Sequence, residues 1–496
     1  MALTAVALLI HGYHPYAEDS EIYLPGVLKL LNPSLFPVNA EFFGEHAGHS
    51  LYPNLIAASV RISHLPILWV MFLWQIVSIF LMLAGTWRLA SAFFPGLATN
   101  GSKANDAQGN DSRACWAAVA LMAALLTLPI AGTWLFLLDQ YVNPRNLAAF
   151  AGVFAIAETL HKRYAIAVLW LAFAAACHPF MASFSIMFCV WLVLLDRFEP
   201  RVLGFAAALP FGITLDPPPA AYHEVALLQR SHFFLRWEWY EWVGAIAPIF
   251  LFWWFARIAR RRGMKNVELA SRAIIPVIVV AIISAVVLSS SPHFEALARL
   301  QPLRSLALTY TLLIVIGGGF LGEYVLKAHL WRWIALFLPL SFGMFYAQRQ
   351  VFPASAHIEW PWAGPRNPWA QAFDWIRLNT PVDALFALNP AHMGLPGEDE
   401  IGFRARSERS MLADLTKDKG AASMFPPLSV EWLNQIDDQR NWKQFQRDDF
   451  DRLRQKYGVS WVVVEQPGPH GLDCPYENVA VRVCRLDTMP ATSAAK

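Results

Sequence analysis

Ala273-Ile-Ile-Pro-Val-Ile-Val-Val-Ala-Ile-Ile-Ser-Ala-Val-Val-Leu-Ser-Ser-Ser291 carries no charged side chain, and about 20 mostly apolar residues are enough to take a helix across a bilayer core. Pro66 to Trp87, Ala114 to Leu138 and Ser305 to Gly322 read the same way. Shorter apolar runs at Asn146 to Ala157, Val202 to Leu215, Trp242 to Ala256 and Trp333 to Ala347 are flanked by aromatic or basic residues of the kind that sit at a membrane interface. Tyr164 to Leu195 is interrupted only by His178-Pro179. Lys162 and Arg163 before it and Arg197 and Arg201 after it predict a hairpin that returns to the side it left, with Pro179 near the turn.

Composition agrees with lipid as the solvent. The chain of 496 residues is 56% hydrophobic and 15% charged, against about 25% charged in ordinary soluble domains. A net charge of +2 gives no reason to expect nucleic acid as a partner. Ala2 to Ile10 is too short to span and lacks the basic start and small-residue cleavage site of a signal peptide. It is read as the outer half of a first helix. The expectation is a polytopic α-helical membrane protein of about eleven transmembrane helices.

Basic residues orient it. The expected inner connections are rich in Lys and Arg, above all Arg257 to Arg272, and the outer ones are poorer, which places the N-terminus inside and the C-terminus outside. The transmembrane domain is expected over 1–350, with long outer loops at 11–65 and 216–241. The connection Gly96 to Asp111 reads as a flexible linker. From Trp369 the composition turns soluble. Helical patterns at Trp369 to Leu378 and Trp442 to Tyr457 alternate with strand-like runs at Ala384 to Leu388, Val459 to Glu465 and Val479 to Arg485. They predict an extracytoplasmic α/β domain over 365–488, followed by a tail at 489–496. Cys474 and Cys484 are placed to pair if that domain lies outside the cytoplasm. Cys115, Cys177 and Cys189, in apolar runs, read as packing residues.

Candidate chemistry gathers on the outer side. Glu18, Asp19 and Glu21 follow the first helix directly. One reading is a general base or metal ligand at the lipid boundary; the other is capping, with Asp19 or Ser20 at the start of an amphipathic helix Glu21 to Leu31. Glu41, Glu45, His46 and His49 have no recognised metal-ligand spacing and read chiefly as polar loop residues. Trp237 and Trp239, with Tyr240 and Trp242, suit an interfacial aromatic belt, or else stack on a sugar ring or grip a lipid phosphate. Arg145, in Tyr-Val-Asn-Pro-Arg-Asn, and Arg304 lie at the outer ends of spans, where an arginine pairs with a carboxylate such as Asp139 or takes a phosphate. His178 reads as a polar group at a helix turn or as a site residue. Arg404, Arg406 and Arg409 read as a solvated basic loop or an anion grip.

These features together resemble the C-type membrane glycosyltransferases: an acidic first outer loop, many spans with short inner turns, an Asn-Pro-Arg turn and an outer C-terminal α/β domain. More narrowly, Glu18-Asp19, Asn32-Pro-Ser-Leu-Phe-Pro, Gln301-Pro-Leu-Arg-Ser and Phe373-Asp-Trp-Ile-Arg-Leu-Asn-Thr-Pro look like an uncharacterised group of bacterial multi-spanning proteins. The resemblance implies sugar transfer from a polyprenyl-phosphate donor at the outer face of the inner (cell) membrane, in contact with membrane lipid. By position, Asp19 matches the acidic residue that activates the acceptor or holds a divalent metal, with Glu18 next. Arg145 and Arg304 match the donor phosphate, and His178, Trp237 and Trp239 the wider substrate site. The clipped first helix departs from that pattern. A non-catalytic transporter or envelope-assembly protein is the alternative; a transporter is expected to hold its polar site at the bilayer midplane on broken helices.

Overall fold

A computed structural model describes residues 1–95, 104–197, 219–290 and 294–486. The expected span Val202 to Leu215, positions 96–103 of the expected linker and the tail 489–496 lie outside the described residues; positions 104–111, expected as flexible linker, are instead helical.

The first part of the chain is helical: α1 (Ala2–His11), α2 (Ser20–Leu31), α3 (Glu41–Gly48), α4 (Tyr52–Ser63), α5 (Ile67–Phe93), α6 (Ala104–Ala124), α7 (Pro144–Leu160), α8 (Tyr164–Cys177), α9 (Pro179–Arg197), α10 (Ala220–Leu227), α11 (Trp239–Arg262), α12 (Lys265–Ser289), α13 (Glu295–Ala298), α14 (Leu306–Phe320, prolonged by a π-helical turn Leu321–Leu326) and α15 (Leu330–Val351). Among the described residues six helices are long and apolar enough to cross a membrane: α5, α9, α11, α12, the segment Pro302–Leu326 and α15. The protein is thus built as a multi-pass membrane protein, and α1, α7 and α8 are too short to meet the same length.

Two expectations about the spans meet different outcomes. The hairpin at His178 forms: α8 and α9 both pack on α7, and a Cβ at Gly152 of α7 would lie 2.5 Å from the Ser185 hydroxyl of α9. The continuous span Ala114 to Leu138 does not form, because α6 stops at Ala124. Beyond it Pro129 and Gly132, with φ +62°, fold a two-stranded ribbon, β1 (Pro129–Ile130) and β2 (Leu135–Phe136). Non-helical backbone amid apolar helices needs partners. His11 supplies some, its ring nitrogens contacting the Thr127 hydroxyl at 2.7 Å and the Ala123 carbonyl at 2.8 Å.

The first loop is not irregular either. It folds as α2, α3 and α4, with α3 and α4 both packing on α2, and Tyr13 and Ile358 form an isolated parallel bridge.

The C-terminal region carries α16 (Pro368–Asn379), α17 (Phe403–Ser407), α18 (Lys417–Met424), α19 (Ser429–Asp438) and α20 (Arg447–Tyr457) around one sheet. Its strands are β3 (Leu385–Leu388), β4 (Ser410–Met411), β5 (Trp461–Glu465), β6 (Asp473–Glu477) and β7 (Val481–Arg485), in the order β4-β3-β5-β7-β6. β3 runs parallel to β4 and β5, and β7 antiparallel to β5 and β6. Strand side chains alternate between faces. Phe386, Leu388, Trp461 and Val463 therefore join a core continuous with the membrane helices and first loop, while Leu385, Ala387, Val462 and Val464 pack on Phe450 and Leu453 of α20. Cys474 and Cys484 form a disulfide.

Candidate functional site

The Asn-Pro-Arg turn explains how Arg145 is presented. Asn143 caps α7, its side chain accepting from the Asn146 N–H at 2.9 Å, and Pro144 fills the first helical position, where no N–H is needed. Asn146 in turn accepts from the Asp139 N–H at 3.0 Å and donates to the Tyr141 carbonyl. A guanidinium projecting from so constrained a turn has little freedom. Arg145 donates from Nη2 to Asp139 at 3.0 Å and from Nη1 to Asp19 Oδ2 at 2.5 Å.

Asp19 is thereby located. It opens α2 but its carboxylate makes no cap, so the capping reading is replaced by ion pairing. Its backbone N–H donates to the Tyr141 hydroxyl at 3.1 Å. Its second oxygen accepts from Lys417 Nζ at 2.8 Å, at the start of α18 in the C-terminal region. Burial works against the charge, but Lys417 and then Arg145 outweigh it and hold this carboxyl well below the usual range.

Glu18 behaves in the opposite way. Its φ of +50° belongs to the sparsely populated left-handed region, held by its N–H donating to the Glu400 carbonyl at 2.8 Å. The carboxyl is half-buried. Burial, opposed by Lys417 and reinforced by Glu400, Asp139 and Asp19, pushes it up to about 8. Glu400 is raised too, chiefly by burial. Two adjacent carboxyls thus stand at opposite ends of the titration scale, the arrangement that separates a permanently charged group from a proton-exchanging one.

Around Arg304 the site changes character. The 3-10 turn Pro302–Ser305 leads into α14 and places Arg304 in the lining of an open cavity that Arg145 and its partner Asp139 also line. The walls are otherwise mostly apolar, from α7, α9 and α14: Ala148, Val153, Met181, Phe184 and Leu308 among them. Arg304 stacks 5.8 Å from the Phe180 ring centre, and its buried Nε has no hydrogen-bond partner. Among the described residues it has no carboxylate partner, unlike Arg145. His178 caps α9 by accepting from the Met181 N–H at 3.3 Å, and Arg145, Arg304 and His46 are its charged or titratable neighbours. His46 of α3 is held neutral by burial, down to about 4.

The residues do not fit a divalent metal. Both Asp19 oxygens are occupied by cationic side chains, and among the described residues no three His, Cys, Asp or Glu converge as ligands. The loop set of Glu41, Glu45, His46 and His49 stays apart as well, with His49 bonded to the Glu45 carbonyl at 2.6 Å.

A scan of protein-family models finds no match, and a search of curated proteins finds none. A search of solved structures returns the apo oligosaccharyltransferase of Archaeoglobus fulgidus, 12% identical, with a TM-score of 0.35 over 94% of this chain and 69% of that one. At that level the chain's own geometry has to carry the argument.

Two sequence expectations change. Trp237 is buried with its ring against Gly132 and is not part of a belt, whereas Trp239 is 71% exposed. Neither lines the arginine cavity. Arg404, Arg406 and Arg409 form neither a solvated loop nor an anion grip, because all three are buried and engaged. Arg404 pairs with Glu21 and Asp418, Arg406 with Asp374 and Glu359, and Arg409 donates to the Arg377 and Thr380 carbonyls. Lys417 was missed altogether. Its signal, a lysine in Thr-Lys-Asp-Lys-Gly, is that of any exposed loop; only the tertiary fold brings it to Asp19.

Proposed function

We propose that this chain is a membrane glycosyltransferase of the C type, taking a sugar from a polyprenyl-phosphate donor at the outer face. The observation that carries the reading is the arginine cavity. Apolar walls suit a prenyl chain, and Arg304, charged and without a carboxylate partner, suits the phosphate. In this reading the acceptor hydroxyl attacks the anomeric carbon and the bond from that carbon to the phosphate oxygen breaks. The electron pair leaves with the polyprenyl phosphate, which Arg304 and Arg145 stabilise. The hydroxyl proton passes to Glu18, whose raised pKa matches a base working near neutral pH. Asp19 stays ionised and positions Arg145 and Lys417. The outer placement is supported by the basic inner connections and by the Cys474–Cys484 disulfide, since such bonds persist in oxidising compartments.

The test is transfer from a radiolabelled polyprenyl-phosphate sugar by the purified protein. Wild type is expected to transfer, Arg304→Ala to lose donor binding, and Glu18→Gln to bind donor while transferring slowly. Full transfer by Arg304→Ala would end this assignment of the cavity. One observation favours the alternative, a non-catalytic lipid-phosphate transporter or envelope-assembly protein: Asp19 is saturated by cations. Donor retention without transfer would support it.

A further inference from the structure

Two connections distant in sequence meet at one end of the helical bundle. The turn at Gly263 joins α11 to α12, and the π-helical turn Leu321–Leu326 leads from α14 towards α15. Arg262 lies 5.0 Å from the Tyr324 ring centre, and the Tyr324 hydroxyl lies 3.9 Å from the Met264 sulfur. Asn266 of α12 donates to the Ala92 carbonyl of α5 at 2.7 Å. Earlier on α5, Gln75 donates to the carbonyl of Asp139, the partner of Arg145. The stretch of α5 from Gln75 to Ala92 puts roughly 25 Å between the two places. We infer that the end of the bundle at Gly263 and Tyr324 binds the headgroup of an anionic phospholipid. The inference does not rest on the reading of the arginine cavity.

Charge is the first reason. Positions 257–272 and 321–332 hold eight Lys and Arg against two carboxylates, Glu268 and Glu323, so these segments do not neutralise themselves. Glu268 is shared by Arg260, at 2.9 Å, and Arg272, at 3.6 Å. Among the described residues Arg257, Arg261, Arg262, Lys265 and Lys327 have no ion-pair partner. A basic cluster of this size beside a membrane span attracts anionic headgroups.

Depth is the second. α11 is long and apolar enough to cross a membrane, and it carries Trp253 and Trp254, both half-exposed, one turn before Arg257. Tryptophan settles at headgroup level, which puts Arg257, Arg261 and Lys265 beside lipid phosphates. Arg257 lies 4.5 Å from the Trp253 ring centre, as Arg262 lies against Tyr324. Such a ring contact orients a guanidinium and leaves its N–H edge free for phosphate oxygens. A phosphate with hydrocarbon beneath it matches both the charge and the aromatic surface. A soluble acidic peptide matches the charge alone.

The experiment places the full chain in nanodiscs of equal parts phosphatidylglycerol and phosphatidylcholine, releases it in a native mass spectrometer and counts the lipids of each kind that stay bound. Wild type is expected to retain phosphatidylglycerol in clear excess. The double variant Arg261→Gln/Lys265→Gln is expected to cut that excess about tenfold. Both side chains are exposed and, among the described residues, make no ion pair, so the change spares the fold. Arg440→Gln/Lys443→Gln, which removes the same charge from exposed positions of the C-terminal region, is expected to leave the excess as it is. Equal retention of the two lipids by wild type would overturn the inference. So would an excess that survives Arg261→Gln/Lys265→Gln, or one that falls as far in the Arg440→Gln/Lys443→Gln control.

Discussion

Lys417 donates to Asp19 across 398 residues of chain, and this one contact ties the C-terminal region to the loop that follows the first helix. Both side chains are largely buried, and Arg145 holds the other Asp19 oxygen. Removing one member leaves a buried charge uncompensated, which costs about 3–5 kcal/mol. Asp19→Asn is therefore expected to lower the thermal unfolding temperature of the detergent-solubilised protein clearly. Lys417→Met is expected to lower it less, since Asp19 keeps Arg145. Equal stability of wild type and Asp19→Asn would show that the network is slack.

Glu18 makes stability depend on pH. Its carboxyl is raised from 4.5 to about 8 in the fold. Below about 4.5 both folded and unfolded chains carry the proton, and the contribution is fully present. As pH rises to about 8 the unfolded chain ionises first, so stability falls; above that it levels off. Glu21, also pushed up to about 8 by burial, acts in the same direction. Unfolding temperatures measured from pH 4 to 9 are expected to decline less steeply in Glu18→Gln than in wild type. An unchanged slope would contradict the burial of this group.

Among the described residues Arg304 differs from Arg145 in having no carboxylate partner to lose. Substitution of Arg304 by Met is expected to leave stability within about 1 kcal/mol of wild type, whereas Arg145→Met, which strands Asp139 and leaves Asp19 with Lys417 alone, should cost about 3–5 kcal/mol. Chemical denaturation of the two variants side by side makes the comparison. A destabilised Arg304→Met would mean that this arginine holds structure and is not reserved for a ligand.

Arg404 locks α17 to the first loop. Glu21 accepts from its N–H at 3.0 Å and from the Ala405 N–H at 3.0 Å, and the guanidinium makes two bonds to Asp418, at 3.0 and 2.7 Å. Arg404→Leu is expected to loosen the C-terminal region from the membrane helices. Limited proteolysis and hydrogen exchange should then report faster opening around α17 and α18, with the membrane helices still protected.

What could be read from residues alone was whatever depends on local solvent preference and period. Apolar runs marked most of the long helices, His178-Pro179 marked the bend, and the short apolar, valine-rich run in Val459 to Glu465 marked the central strand, because these patterns are written within a few turns of chain. Ala114 to Leu138 misled for the same reason. Hydropathy does not register that Pro129 and Gly132 can fold the chain back, with His11, far away in sequence, bonded to the Ala123 carbonyl at the end of α6 and to the Thr127 hydroxyl. The site shows the limit most clearly. Glu18, Asp19, Arg145 and Arg304 were identifiable as charges at helix ends. Their surroundings depend on tertiary folding: Lys417 and Arg145 pair with Asp19, burial beside Glu400 raises the Glu18 carboxyl, and among the described residues Arg304 has no ion-pair partner although Asp139 lines the same cavity. A charge's chemistry is set by its surroundings within a few ångströms, and here those surroundings come from the opposite end of the chain.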